Sequence, residues 1–271
     1  IIIMNKYAVI GSPIDHSLSP QIHSIFAQEA DIEISYEAIE VNKENFKIKV
    51  DELLNKGYLG LNVTLPIKEE AFNYAEVKSE NASLSESVNT LSFLHSSIYG
   101  HTTDGDGLLA DLSDKGFVLE SSSTVLLGAG GSAKSIIPSL LSKKPKHLFL
   151  INRTREKAEN LVNRYKTHFP QIELLEELDN EISVDIVINS TSAGTLGEDI
   201  FLPENLFNSK PKVYDLAYSK SETPFNLRAK KEGSPEVYDG LGMLIHQAAL
   251  SFEIWNRFKP STNGIEKKIR P

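Results

Sequence analysis

The run Thr124-Val-Leu-Leu-Gly-Ala-Gly-Gly-Ser-Ala-Lys134 has the residue types and spacing to hold a dinucleotide. A short apolar, β-rich run enters a glycine turn and Ser132 opens a helical pattern, so Gly128, Ala129, Gly130 and Gly131 stand between a strand and a helix N-terminus. Gly128 permits the tight turn, Gly130 lets backbone approach a pyrophosphate, and the N–H groups of the next helix face its negative charge. The third glycine of G-x-G-x-x-G is replaced: Gly131 comes early and Ala133 takes the close-packing position. At the end of the next strand, where an NAD site places a carboxylate for the ribose 2′-hydroxyl, stand Asn152, Arg153 and Thr154. A guanidinium matches a 2′-phosphate that a carboxylate would repel, so the two motifs predict NADP over NAD. Arg155 and Lys157 either add to this charge or are solvated helix residues.

A nicotinamide enzyme reducing a carbonyl takes its hydride from the cofactor and needs a protein group to give or accept the proton at oxygen. Asn62-Val-Thr-Leu-Pro-Ile-Lys68 offers one: a polar strand end, a proline suited to a first helical turn, and a lysine two residues later, near the strand's carboxyl end. A free lysine titrates near about 10.4; burial or cations would lower that value, whereas a nearby carboxylate keeps the group charged and oriented. Asp104, in Thr102-Thr-Asp-Gly-Asp-Gly107, is the candidate carboxylate. Plainer readings stand beside these, with Lys68-Glu-Glu70 as an exposed first turn and Asp104 as an N-cap. Ser17 and Ser19, in Gly11-Ser-Pro-Ile-Asp-His-Ser-Leu-Ser-Pro20, serve a helix start, a ligand, or both. His16 and His23 have no metal-ligand spacing with carboxylates, and no metal site is expected. In the last helical stretch Gly240, Met243 and Gln247 share a face. Gly240 permits close backbone approach and Gln247 both donates and accepts, while core packing is the plainer reading for Met243.

These groups need elements to place them. Tyr7 to about Leu94 alternates β-rich and amphipathic runs in a βαβαβ pattern: strands at Tyr7 to Ile10, Ser35 to Val41 and Leu59 to Thr64, helices from Pro20 and Lys43. Parallel strands put ligands at their carboxyl ends, where Gly11-Ser-Pro13 and Asn62-Val-Thr64 fall. A hairpin near Val88 to Thr102 and a helix from Asp104 to Lys115 lead to a second α/β unit, with strands at Thr124 to Leu127, Leu148 to Ile151, Val184 to Asn189 and Lys212 to Leu216. The fold class is α/β with two domains. The expected division is a substrate domain of residues 1–103, completed by 240–271, and a Rossmann-like cofactor domain of 104–239. The final helix, Leu241 to Phe258, has Leu241, Leu244, Ile245, Ala248 and Phe252 at core spacing, and periodicity alone lets it pack on either domain.

Composition narrows the partners. With 271 residues and 40% hydrophobic content the chain can bury two cores, and a net charge of −9 argues against a general nucleic-acid binder. Small molecules are the expected partners. The absence of cysteine excludes disulfides, thiolate metal sites and cysteine nucleophiles. No apolar stretch approaches the roughly 20 residues that span a bilayer. Ile1-Ile2-Ile3 before Met4 lacks the basic and long apolar regions of a signal peptide and stands ahead of a candidate start, so a cytoplasmic location is expected by default.

Taken together, the segments resemble the shikimate dehydrogenase family, in that family's order from Tyr7 to Phe258. The matching stretches are Gly11 to Pro20, Asn62 to Lys68, Ser87-Val-Asn-Thr90, Thr103-Asp104 with Gly107, the glycine turn, Asn152-Arg-Thr154, Asn189-Ser-Thr-Ser192, Asp215-Leu-Ala-Tyr218 with Thr223-Pro-Phe225, and Asp239-Gly-Leu-Gly-Met-Leu244 with Gln247. The resemblance implies NADPH-dependent reduction of 3-dehydroshikimate to shikimate, toward chorismate and the aromatic amino acids. It implies Lys68 and Asp104 as the catalytic pair, and Ser17, Ser19, Asn62, Thr64, Asn89, Tyr218 and Gln247 as groups holding the substrate. It adds Thr191, Gly240 and Met243 to Gly128 through Ala133 and Asn152 through Thr154 on the cofactor side, and it returns the final helix to the first domain. A monomer or homodimer is expected.

The sequence departs from the family pattern at Thr102, commonly asparagine, Ser87, commonly alanine, and Lys220, frequently proline. The alternatives are a quinate/shikimate dehydrogenase accepting NAD, against which Arg153 argues, and a non-catalytic NADP-binding regulator, against which Lys68 and Asp104 argue. A folate dehydrogenase of related plan is disfavoured by the serine pair and Gln247.

Overall fold

Short β-branched and aromatic runs separated by amphipathic stretches assemble into two six-stranded sheets. The computed structural model describes residues 4–179, 182–191 and 201–270. Ile1-Ile2-Ile3 and Ser192, named above, lie outside the described residues. The first sheet and its helices run β1 (Asn5–Gly11), α1 (Ser19–Glu29), β2 (Ile34–Glu40), α2 (Phe46–Asn55), β3 (Tyr58–Val63), α3 (Lys68–Tyr74), β4 (Val77–Lys78), α4 (Glu80–Ser85), β5 (Thr90–Leu94), β6 (Ser97–His101) and α5 (Asp104–Asp114). The second set is β7 (Ser123–Leu127), α6 (Gly131–Ser142), β8 (His147–Ile151), α7 (Arg155–Lys166), β9 (Ile172–Leu174), β10 (Ile186–Asn189), β11 (Lys212–Asp215), α8 (Pro224–Lys231), β12 (Val237–Asp239), α9 (Leu241–Asn256) and α10 (Ile265–Ile269).

The first sheet has the order β2-β1-β3-β5-β6-β4. Its β1, β2 and β3 are parallel, and the expected hairpin is the antiparallel pair β5 and β6. Ala8 and Ile10 of β1 face a core with Val50, Leu61, Ile67 and Leu91. On the opposite face Tyr7 stacks on Trp255 of α9, with ring centroids 4.7 Å apart. The indole Nε1 donates to the Leu91 carbonyl at 3.0 Å, and the ring fills the space that a Cβ on Gly60 would need.

The second sheet is parallel throughout, in the order β12-β11-β10-β7-β8-β9. Strand alternation gives it two cores: Leu126, Leu148, Leu150 and Ile188 enter one, and Val125, Leu127, Phe149 and Val187 the other. The order reverses between β7 and β10, a switch point of the kind that doubly wound sheets use for ligands.

Internal contacts divide the chain into one unit of Ile1–Gly107 with Leu244–Pro271 and another of Leu108–Met243. Both divisions fall inside helices, α5 and α9, four residues beyond the positions read from sequence, because no loop marks them. Among the described residues, no helix is long and apolar enough to cross a membrane.

Candidate active site

In the first unit, backbone pairing brings two helix starts together. Thr64 N–H donates to Ile10 O as β3 ends, Ile67 N–H closes a turn onto Thr64 O, and α3 begins at Lys68. Pro66 therefore precedes the helix in this turn, after a cis bond to Leu65, instead of occupying its first turn as expected. A turn can use proline as readily as a helix start can. At the end of β6, Gly107 N–H donates to Thr103 O and Asp104 becomes the first residue of α5. The Lys68 Nζ donates to Asp104 Oδ2 at 2.6 Å, with side chains 12% and 8% exposed. Lys68 is thus no exposed first-turn residue. The carboxylate at the start of α5 also meets the positive end of the helix dipole.

Asn89 joins this pair to α9. Its Nδ2 donates to Asp104 Oδ1 at 2.9 Å, with Thr103 Oγ1 at 2.9 Å and Gln247 Oε1 at 3.1 Å. Gln247 is in turn anchored through Nε2 to Leu244 O, at 2.8 Å. Thr64 and Ser17 are half-buried at the carboxyl ends of β3 and β1. Ser19 is buried as the first residue of α1 with Pro20 in the first turn, so the helix starts where the sequence signals it, although Leu18 holds the cap position and no side chain caps the helix. Asn62 is buried at the end of β3, its amide donating to Ser251 Oγ at 2.9 Å and accepting from Tyr36 at 2.7 Å.

Beneath these groups lies a layer the sequence reading left without a role. Tyr36 stacks on His23, centroids 4.2 Å apart. Burial raises the Tyr36 phenol well above its ordinary pKa, so it stays a donor, and burial pushes His23 down to about 3, so it stays neutral. Both His23 ring nitrogens lack a hydrogen-bond partner among the described residues. Ser251 is fully buried and sits one helical turn beyond Gln247, an i, i+4 spacing that marks it as a neighbour on the same face. The hydroxyls of Ser87 and Thr102, two of the departures from the family pattern, are buried and likewise without a partner among the described residues.

The second unit offers backbone where the first offers side chains. Gly128 has φ +104°, and a Cβ there would come within 2.7 Å of Ser190 Oγ, so the turn requires glycine. Gly130, the N-cap of α6, has open space where a Cβ would stand, and no side chain caps the helix. The first N–H groups of α6 are thus left without a side-chain cap, the arrangement in which a helix start can receive an anion. Ala133 is fully buried against the second unit's core, as the close-packing position requires, and Ser132 is half-buried. Arg153 and Thr154 are exposed at the end of β8, and Asn152 Nδ2 donates to Thr154 O at 2.8 Å. Arg155, exposed at the start of α7, pairs with Glu159 and Glu176.

After β10, Thr191 Oγ1 donates to Asn189 Oδ1 at 2.7 Å, and Asn189 Nδ2 donates to Asp215 Oδ1 at 2.9 Å. Burial raises the Asp215 carboxyl to about 6. Gly240 approaches closely, as expected, but what it approaches is the Leu216 carbonyl. Met243 packs against the second unit's core while half-buried. Tyr218 belongs to this second unit, in the loop after β11, and so stands apart in the chain's organisation from the other proposed substrate groups.

Three family models match the chain: the shikimate dehydrogenase substrate binding domain over residues 9–91, the shikimate/quinate 5-dehydrogenase over 111–206, and the shikimate 5′-dehydrogenase C-terminal domain over 240–270. A shikimate dehydrogenase (NADP(+)) of Legionella pneumophila strain Corby is 41% identical, across 98% of this chain and 99% of its own. The crystal structure of shikimate dehydrogenase from Aquifex aeolicus superposes with a TM-score of 0.87 at 31% identity, covering 99% of this chain and 98% of that one. That of the Thermus thermophilus enzyme in complex with NADP(H) and shikimate gives 0.87 at 28% identity, covering 97% and 98%.

Proposed function

The chain belongs to the shikimate dehydrogenase family, and from that membership we propose that it catalyses the reversible NADPH-dependent reduction of 3-dehydroshikimate to shikimate, a step toward chorismate and the aromatic amino acids. The observation that carries the reading is the buried Lys68–Asp104 pair at the carboxyl end of β3, where a proton can be held and moved out of bulk water. NADPH, when bound, supplies the hydride. Lys68, oriented by Asp104, gives its proton to the forming alcohol oxygen directly or through one water, and takes it back in the reverse direction.

Ser17, Ser19, Asn62, Thr64, Asn89, Gln247 and Tyr218 hold the substrate's carboxylate and hydroxyls, a polar task suited to neutral groups that both donate and accept. On the cofactor side, Gly128 through Ala133 receive the pyrophosphate. Asn152, Arg153 and Thr154 receive the 2′-phosphate, with Thr191, Gly240 and Met243 completing the surface. The exposed guanidinium of Arg153 favours NADPH over NADH. The reading includes a cytoplasmic location and a monomer or homodimer, which sedimentation distinguishes.

The test follows NADPH absorbance with saturating 3-dehydroshikimate, NADH in parallel and Arg153→Ala as control. Fast oxidation of NADPH alone, weakened mainly in cofactor KM by the substitution, is the expected result. Equal use of NADH would move the assignment to a quinate/shikimate type, and oxidation of neither would leave a cofactor-binding protein without turnover.

A further inference from the structure

In the first unit, atoms with only one hydrogen-bonding role fix the orientation of two amides in a run of bonds that ends on Asp104. The Asn89 backbone carbonyl can only accept, so the Asn62 atom 3.2 Å from it is the amide nitrogen, and the Tyr36 hydroxyl must donate to Asn62 Oδ1. The Thr103 backbone N–H can only donate, which identifies the Asn89 atom 2.9 Å away as Oδ1. Thr90 Oγ1, also 2.9 Å from that oxygen, is then a donor. Thr90 Oγ1 and Ser251 Oγ lie 2.7 Å apart, where either can donate; Ser251 accepts from Asn62 Nδ2 at 2.9 Å, and its hydroxyl also reaches the Gln247 carbonyl on its own helix at 3.1 Å. Asn89 Nδ2 completes the run by donating to Asp104 Oδ1 at 2.9 Å.

Five hydrogen bonds therefore link Tyr36 through Asn62, Ser251, Thr90 and Asn89 to the carboxylate, with both amides fixed in orientation. The two amides pass no proton along, so the run is a set of linked dipoles that ends with the Asn89 N–H facing Asp104. Each bond polarises the next in a buried setting. Asn62, Asn89, Thr90 and Ser251 are all buried.

We propose that Ser251 and Thr90 are positioning residues for the Lys68–Asp104 pair: they lock the Asn89 amide in the orientation that donates to Asp104, and so fix the carboxylate against Lys68. The inference rests on the reading of Lys68 and Asp104 as the catalytic pair. Thr90→Val keeps the side-chain shape and removes the link. It is expected to lower kcat roughly five- to tenfold with the NADPH KM unchanged, and Thr90→Ser to restore kcat to within about twofold. Ser251→Ala cuts the same run from α9 and reads it independently should Thr90→Val fail to fold. Parental kcat in both Thr90→Val and Ser251→Ala, or a loss that Thr90→Ser does not recover, would overturn the proposal. Lys68→Ala, measured alongside, separates the two levels: near-parental kcat there removes the catalytic pair itself.

Discussion

The two units meet the same demand, holding a polar ligand at the carboxyl ends of strands, by opposite means. In the first, the relevant groups are buried side chains bonded to one another: Lys68 to Asp104, Asp104 to Asn89, Asn89 to Gln247. In the second, they are an uncapped helix start, a glycine turn and an exposed arginine. Proton transfer tolerates little misplacement, so its groups are preorganised where ordering them costs nothing during reaction. A long anionic cofactor needs reach and charge, which backbone N–H groups and a solvated guanidinium provide. Changes in the first unit should therefore appear in kcat and changes in the second in cofactor KM or in folding.

The largest expected effect tests the first half of that contrast. Lys68→Ala should lower kcat by about 10²- to 10⁴-fold with much less change in substrate KM. A rise in KM at constant kcat would make Lys68 a binding group and break the contrast.

Next is Asp215, the buried carboxyl of the second unit. Its folded pKa, about 6, lies above the ordinary 3.8, so the folded state holds the proton more tightly than the unfolded chain does. Stability is then greater below the lower value and declines as pH rises through about 6, by on the order of 2 to 3 kcal/mol. Asp215→Asn keeps an acceptor for Asn189 and Ala217 without the charge. Its advantage in unfolding free energy over the parent should grow from about pH 4 to about pH 7; parallel curves would exclude this role.

Arg153→Ala should raise the NADPH KM about ten- to thirtyfold, roughly 1.4 to 2 kcal/mol of phosphate recognition, and leave NADH kinetics alone. Equal weakening with both cofactors would take Arg153 off the 2′-phosphate. The smallest effect is expected from Gly128→Ala, which forces a side chain into the left-handed region against Ser190. A loss of about 1 to 2 kcal/mol in chemical denaturation, with kcat per folded molecule preserved, would mark the turn as a folding requirement.

What could be read in one dimension was what is local. The turn at Gly128 to Gly131 and the arginine after β8 lie within single strand-to-helix connections, and both strands are long enough to alternate. β4, β9 and β12 have two or three residues each, too few for a period, and were invisible for that reason. Propensity also misplaced Pro66, since a residue that suits a helix start equally suits the turn before it. Lys68 and Asp104 stand 36 residues apart; their chemistry made them candidates for a pair, and the resemblance, not spacing, joined them as the catalytic one. Ser251 and Asn62 are separated by 189 residues, and the direction of their bond depends on what every neighbour donates. Asn62 was recognisable as polar and strand-terminal, but which way its amide faces is decided by Tyr36 and Ser251.

Trp255 is the chain's one tryptophan, and its place over Gly60 in the first unit makes it a built-in optical probe. Indole emission follows the packing of β1, β3 and α9, while far-ultraviolet circular dichroism averages the backbone of both units. Coincident denaturation midpoints by the two signals would mean that the units melt as one cooperative body. An emission change that precedes the loss of ellipticity would time the opening of the catalytic half against the cofactor half, without any label attached to the protein.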